Sequence, residues 1–301
     1  MYKQHVEKII VPNKYSNLIT PLAITVAILF LQAIIDLILL LIFSPIYTKI
    51  VGFDENTKSI EIAGSNSISG VLSMIIGILI IVYIANKSSD LKTSGLGFSK
   101  TKLFPTYLKG YFIGTFLITI IFIILKLSKT INFEYNFNKK FLIFIVGSFL
   151  FFIFQGLYEE VLVRGYLMTN FSALYGDKFA IIFSSAIFSV LHLLNPGVNK
   201  IAVLNLFLAG IFFSLLYRAT GNILFVGAVH SSWNFVQGII FGSLVSGYEI
   251  KYSVFKSIPL EDNALIHGGD FGFEGSIATT VLLGVLIIYL ILTRNKKLWN
   301  I

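Results

Sequence analysis

The sequence predicts an all-α, polytopic membrane helix bundle with about eight transmembrane helices, and three observations carry that prediction. Of the 301 residues 56% are hydrophobic and only 13% charged, a balance under which a soluble domain would aggregate. Apolar runs repeatedly reach the roughly 20 residues that a bilayer crossing needs. The basic residues gather between those runs, where they set orientation. The net charge of +8 therefore signals a lipid bilayer as partner and no nucleic acid.

The runs lie at about 18–43, 68–85, 108–127, 141–157, 179–194, 201–217, 223–242 and 276–293. The first carries Gln32 and Asp36 and ends without a small-residue cleavage site, so it reads as an anchored helix and not a signal peptide. The second and third show nothing specific. In the fourth, apolar character resumes after Arg164 and continues to Leu174. This predicts one long helix or a bend near Gly156 or Gly165, and the unbroken apolar pattern favours the long helix. The fifth to seventh carry the histidines considered below. Before the eighth, the polar stretch 247–275, with His267-Gly268-Gly269-Asp270, reads as an exposed, turn-rich outer loop. The whole chain, 1–301, reads as a single transmembrane domain: accessory helices over 1–140, chemistry-bearing helices 4–7 over 141–242, then the outer loop and last helix over 243–301.

Loop charges predict the topology. Lys3, Lys8 and Lys14, then Lys87, Lys92, Lys100 and Lys102, then Arg294, Lys296 and Lys297 all fall on one side of an eight-span arrangement. Asp54, Glu55, Glu61, Glu249, Glu261, Asp262, Asp270 and Glu274 fall on the other, with Lys139 and Lys140 a local exception. Both termini are thereby expected in the cytoplasm. A composition rich in Lys, Ile and Asn points to a bacterial plasma membrane.

Chemistry concentrates in three places. Glu159 and Glu160 stand in the middle of an apolar stretch, with Arg164 one turn on. Ionisable groups at membrane depth are costly and mark working sites. Glu160 and Arg164 have the i,i+4 order of an ion pair, and the rotation of about 100° per residue leaves Glu159 facing elsewhere, into the bundle. Phe188 and His192 share one face of the fifth helix, and His230 and Asn234 share one face of the seventh. Each motif alone also suits interhelical glue. Together they admit two chemistries. In one, Glu159 and His192 activate water while His230 and Asn234 stabilise an oxyanion. In the other, Glu159, His192 and His230 bind zinc or another divalent metal that carries the water. With no cysteine in the chain, thiol chemistry is excluded. There is no His-Glu-x-x-His helix and no nucleophile elbow; Ser67-Ile68-Ser69-Gly70 lacks a rhomboid-like Gly-x-Ser-Gly, and Asp36 has no intramembrane aspartate partner.

Glu159-Glu160-x-x-x-Arg164, Phe188-x-x-x-His192 and His230-x-x-x-Asn234, in that order, resemble the CAAX protease and bacteriocin-processing (Abi) family. The segment Phe207-Leu208-Ala209-Gly210 through Tyr217-Arg218-Ala219-Thr220-Gly221-Asn222 resembles the stretch before the family's last motif. The resemblance covers about 141–242. It implies an eight-helix intramembrane endopeptidase acting on a peptide or protein substrate at the membrane. Glu159 would activate water with His192 as its partner, His230 and Asn234 would form an oxyanion hole, and Glu160 and Arg164 would support the site. Members in eukaryotes and archaea cleave behind a prenylated cysteine, while bacterial members are linked to leader-peptide processing, bacteriocin self-immunity and peptide-signal maturation. Two other readings compete: a non-catalytic immunity or scaffold protein, and a proton-coupled carrier. The carrier would favour internal repeats and interrupted helix pairs, which the sequence does not show.

Overall fold

The computed structural model describes residues 17–51, 68–89, 91, 93–99, 102–260 and 264–293. Helices occupy all eight expected positions. They are α1 Ile19–Val51, α2 Ile68–Ser89, α3 Leu103–Leu127, α4 from Leu142 to Tyr175, α5 Asp177–Leu191, α6 Lys200–Thr220, α7 Ile223–Phe235 and α8 Ile277–Thr293. Among the described residues, six helical segments are long and apolar enough to cross a membrane; α5 and α8 are shorter, at 15 and 17 residues. The protein is a multi-pass, all-α membrane bundle. The tail lysines, Lys92, Lys100, the acids Asp54, Glu55, Glu61, Glu261 and Asp262, and Arg294, Lys296 and Lys297 lie outside the described residues.

The seventh helix is the axis of the bundle. Every residue of Ile223–Phe235 except Leu224 is buried, as befits a helix apolar all round. Its neighbours α3 and α4 reach it through glycines. A Cβ on Gly114 would collide with the Val229 carbonyl oxygen, and one on Gly156 would stand 2.7 Å from the Ser231 nitrogen. Small residues let helix backbones approach this closely inside a membrane. Gly156 thereby brings the Glu159-Glu160 turn against the turn of α7 that carries His230.

The fourth helix is continuous. It runs as an α-helix over Leu142–Glu160, passes into a π-helical stretch over Val161–Met168, and ends as an α-helix over Thr169–Tyr175. A stretch of i→i+5 pairing is uncommon and recurs at functional sites. It follows Glu160 directly and contains both Arg164 and Gly165. The long helix also settles how the fourth and fifth helices meet. Glu159 precedes the Gly176 turn by 17 residues and His192 follows it by 16. At about 1.5 Å per residue both sit roughly 25 Å along the antiparallel pair, at one level.

Three features depart from the sequence reading. The fifth helix stops at Leu191, short of 194, because the His192 ring takes the Phe188 carbonyl at 2.8 Å and Pro196 follows. A two-stranded antiparallel sheet pairs β1 Ile131–Tyr135 with β2 Phe255–Pro259, in the register Ile131↔Pro259 to Tyr135↔Phe255. It ties the α3–α4 connection to the α7–α8 connection. The stretch 247–275 is not a simple exposed loop: His267, Phe271, Phe273 and Gly275 are buried, and the Asn205 amide on α6 donates to the carbonyls of Glu274 and Ser276. Large aromatic side chains fold the segment inward over the helix ends.

Candidate active site

Burial of charge organises the site. Glu160 and Arg164 are both 0% exposed and pair at 2.8 Å, one turn apart on α4. The same Glu160 oxygen accepts from His230 Nδ1 at 2.9 Å. Arg164 also donates to the Gly210 carbonyl at 3.2 Å, and its guanidinium lies over the rings of Phe188 and Phe213, 4.6 and 5.4 Å from their centroids. A buried ion pair stabilises little overall, but each charge needs the other. Here the pair orients an imidazole, because a carboxylate only accepts and so holds the proton on His230 Nδ1. The Phe213 ring stacks on that imidazole at 4.9 Å and 17°, leaving Nε2 directed to the remaining side.

That Nε2 lies 3.8 Å from Glu159 Oε2, a buried atom with no protein partner. The other Glu159 oxygen accepts from Gln155 Nε2, and Gln155 Oε1 accepts from Asn234 Nδ2 at 3.0 Å. One carboxamide therefore links Glu159 to Asn234. Gln155 was missed from sequence, although it stands at i−4 to Glu159 on the same helix face. Asn234 keeps its second N–H free for another acceptor. His192 donates Nδ1–H to the Phe188 carbonyl, since a carbonyl can only accept, and so Nε2 carries the lone pair. The Phe188 ring touches this imidazole at 4.7 Å.

Glu159, His192, His230 and Asn234 line one cavity of about 400 Å³ with largely apolar walls. Glu160 and Arg164 stand behind its wall. Ligand sites commonly take this form, an apolar pocket with a few convergent polar groups. Glu274, outside the helices, lines the cavity too and was not among the candidates from sequence. Burial holds its carboxyl above the ordinary value of 4.5, while hydrogen bonds from Ser246 oppose that rise. Among the described residues, no three His or acidic side chains are gathered closely enough to hold a metal ion. Glu159, His192 and His230, the expected metal ligands, share the cavity without closing on a common point.

A family model described as type II CAAX prenyl endopeptidase Rce1-like matches residues 140–236. This span contains Glu159, Glu160, Arg164, His192, His230 and Asn234. The chain is similar to this family over those 97 of its 301 residues. The likeness supports an intramembrane protease that meets a peptide substrate in the lipid environment. A comparison with curated proteins returns no match. The matched span ends one residue past α7, so β2, Glu274 and α8 lie beyond what this Rce1-like likeness covers.

Proposed function

We propose that this cavity hydrolyses a peptide bond of a membrane-associated peptide or leader by water activation at Glu159. The observation that carries the reading is the 3.8 Å gap between Glu159 Oε2 and His230 Nε2, which suits one water molecule between two polar atoms. In this mechanism Glu159 Oε2 takes a proton from water as the water oxygen adds to the scissile carbonyl carbon. His192 Nε2, with its tautomer held by Phe188, offers a lone pair to the same cavity and partners Glu159 in activating the water. With a proton on Nε2, His230 donates to the oxyanion, joined by the free N–H of Asn234. The C–N bond then breaks as the proton held by Glu159 passes to the leaving nitrogen. A bound divalent metal would supply Lewis acidity, but the three candidate ligands would first have to close in.

The loop charges favour cytoplasmic termini, and in that orientation the exposed lining residues Tyr248 and Glu249 lie toward the outer face of a bacterial plasma membrane. A peptide under maturation, or a bacteriocin against which the cell protects itself, fits that location. The test uses purified full-length protein in detergent with an apolar peptide flanked by a fluorophore and a quencher. Cleavage is expected in the wild type, lost in E159Q and H192A, and retained with a chelator. Undiminished cleavage by E159Q would remove this mechanism, and cleavage abolished by the chelator and restored by zinc would replace it with the metal route. Full protection against a bacteriocin by an inactive variant would make binding, not hydrolysis, the function.

A further inference from the structure

The cavity has a second polar focus, on a segment outside the matched span. Glu274 lies in the turn before α8. Its Oε2 accepts from the Ser246 backbone N–H at 2.7 Å and from Ser246 Oγ at 2.9 Å. Ser246 is held there in left-handed backbone, φ 48°, a conformation a serine adopts rarely and keeps only when its surroundings enforce it. The Ser246 carbonyl accepts from Asn195 at 3.0 Å, and the Glu274 carbonyl from Asn205 at 2.7 Å. The carboxylate is thus pinned from several directions at the cavity wall.

Among the described residues no Lys or Arg pairs with it, and the positive charge that reaches it comes from the imidazoles of His230 and His192. No Lys or Arg lines the cavity. Arg164 is committed to Glu160 and Gly210. The titratable groups facing the same space are Glu159, Glu249, His192 and His230, with the phenols of Tyr158 and Tyr248. Buried carboxylates are normally paired, and burial here pushes the Glu274 carboxyl upward. An independent observation points the same way. Asn234, 4% exposed, lines the same cavity, and its carbonyl oxygen has no donor. The cavity holds three acidic side chains, Glu159, Glu249 and Glu274, against two imidazoles, and one of these, His230, is already bonded to Glu160.

From this arrangement we infer that Glu274 anchors an ammonium subsite, which receives a basic side chain or the free amino terminus of the peptide substrate. A bound ammonium group supplies a direct counter-charge to Glu274 through charge-assisted hydrogen bonds. The inference rests on the peptidase reading, but it is tested by binding, so the two fail separately. Trp233 lines the cavity, and replacing the chain's other tryptophan, Trp299→Phe, leaves it as the only indole reporter.

Three leucine- and phenylalanine-based hexapeptides are titrated against full-length protein in detergent. One is N-acetylated with a single lysine, one is N-acetylated with norleucine in its place, and one has norleucine and a free amino terminus. At least one ammonium-bearing peptide is expected to bind roughly tenfold more tightly than the acetylated norleucine peptide, and the favoured arm identifies the source of the ammonium group. E274Q, whose amide oxygen can keep both Ser246 bonds, should bring the ratio close to one, whereas E274D should preserve it. Equal binding of all three peptides to the wild type, or an unchanged ratio in E274Q, overturns the subsite. The wild-type comparison needs no variant, so misfolding of E274Q leaves it refutable. Selective binding without cleavage would instead count against the peptidase reading.

Discussion

Replacing Glu160 by glutamine should destabilise the bundle more than replacing Glu160 and Arg164 together. In the wild type both side chains are fully buried and 2.8 Å apart. Glu160→Gln keeps the shape but removes the carboxylate bonded to Arg164. The guanidinium is left with the Gly210 carbonyl and two ring faces. Breaking a buried pair from one side costs about 3–5 kcal/mol. The amide oxygen recovers about 1 kcal/mol as a neutral hydrogen bond, so the expected net loss is about 2–4 kcal/mol. In E160Q/R164M no charge remains, and methionine fills much of the space, so stability should return to within about 1–2 kcal/mol of the wild type. Equilibrium unfolding in mixed dodecylmaltoside–SDS micelles, followed by far-ultraviolet circular dichroism, measures both. Wild-type stability in E160Q, or a double variant that loses the sum of the two single losses, would refute the coupling. Peptide cleavage should fall in both variants, because His230 Nδ1 loses its carboxylate either way.

Two further outcomes follow from the same geometry. Gln155→Leu cuts the link between Glu159 and Asn234 without touching substrate-facing charge, so kcat should fall by about 100-fold while KM changes little; steady-state kinetics on the quenched peptide decides, and a change confined to KM would oppose a positioning role. Glu274 has a raised carboxyl pKa in the folded protein, so the folded state binds more protons than the unfolded state once the pH passes the ordinary value of 4.5. Stability should therefore decline as pH rises from there through the folded pKa, and E274Q should lack that decline. Detergent melting curves at pH 4 to 8 would show it, and parallel curves for the two proteins would contradict it.

The spans and the Glu160–Arg164 pair were legible in the sequence because each is local. A run of apolar residues and an i,i+4 spacing need no knowledge of the partner helix. The length of α4 was legible for the same reason, since apolar residues continue past Arg164. What was not legible depends on contacts across long separations. Gln155 gains meaning only when Gly156 lets α7 approach and Asn234 arrives 79 residues later. Glu274 looked like one acid among several in a turn-rich loop, and its position follows from buried Phe271 and Phe273 and from Asn205 on α6. The β1–β2 pairing joins segments that hydropathy treats as separate connections, and Phe133 stacking on Phe255 at 4.4 Å has no local signature. The early stop of α5 turns on one imidazole satisfying a carbonyl, a choice periodicity does not register.

The pairing of Ile131–Tyr135 with Phe255–Pro259 has a practical consequence for anyone who engineers this protein. Two hydrophilic connections that look like convenient places for an epitope or a reporter are stitched together, and the second of them continues into the turn that carries Glu274. An insertion within either strand would unzip the stitch and shift an acidic wall of the chamber, so a tagged protein could lose selectivity with every helix still in place.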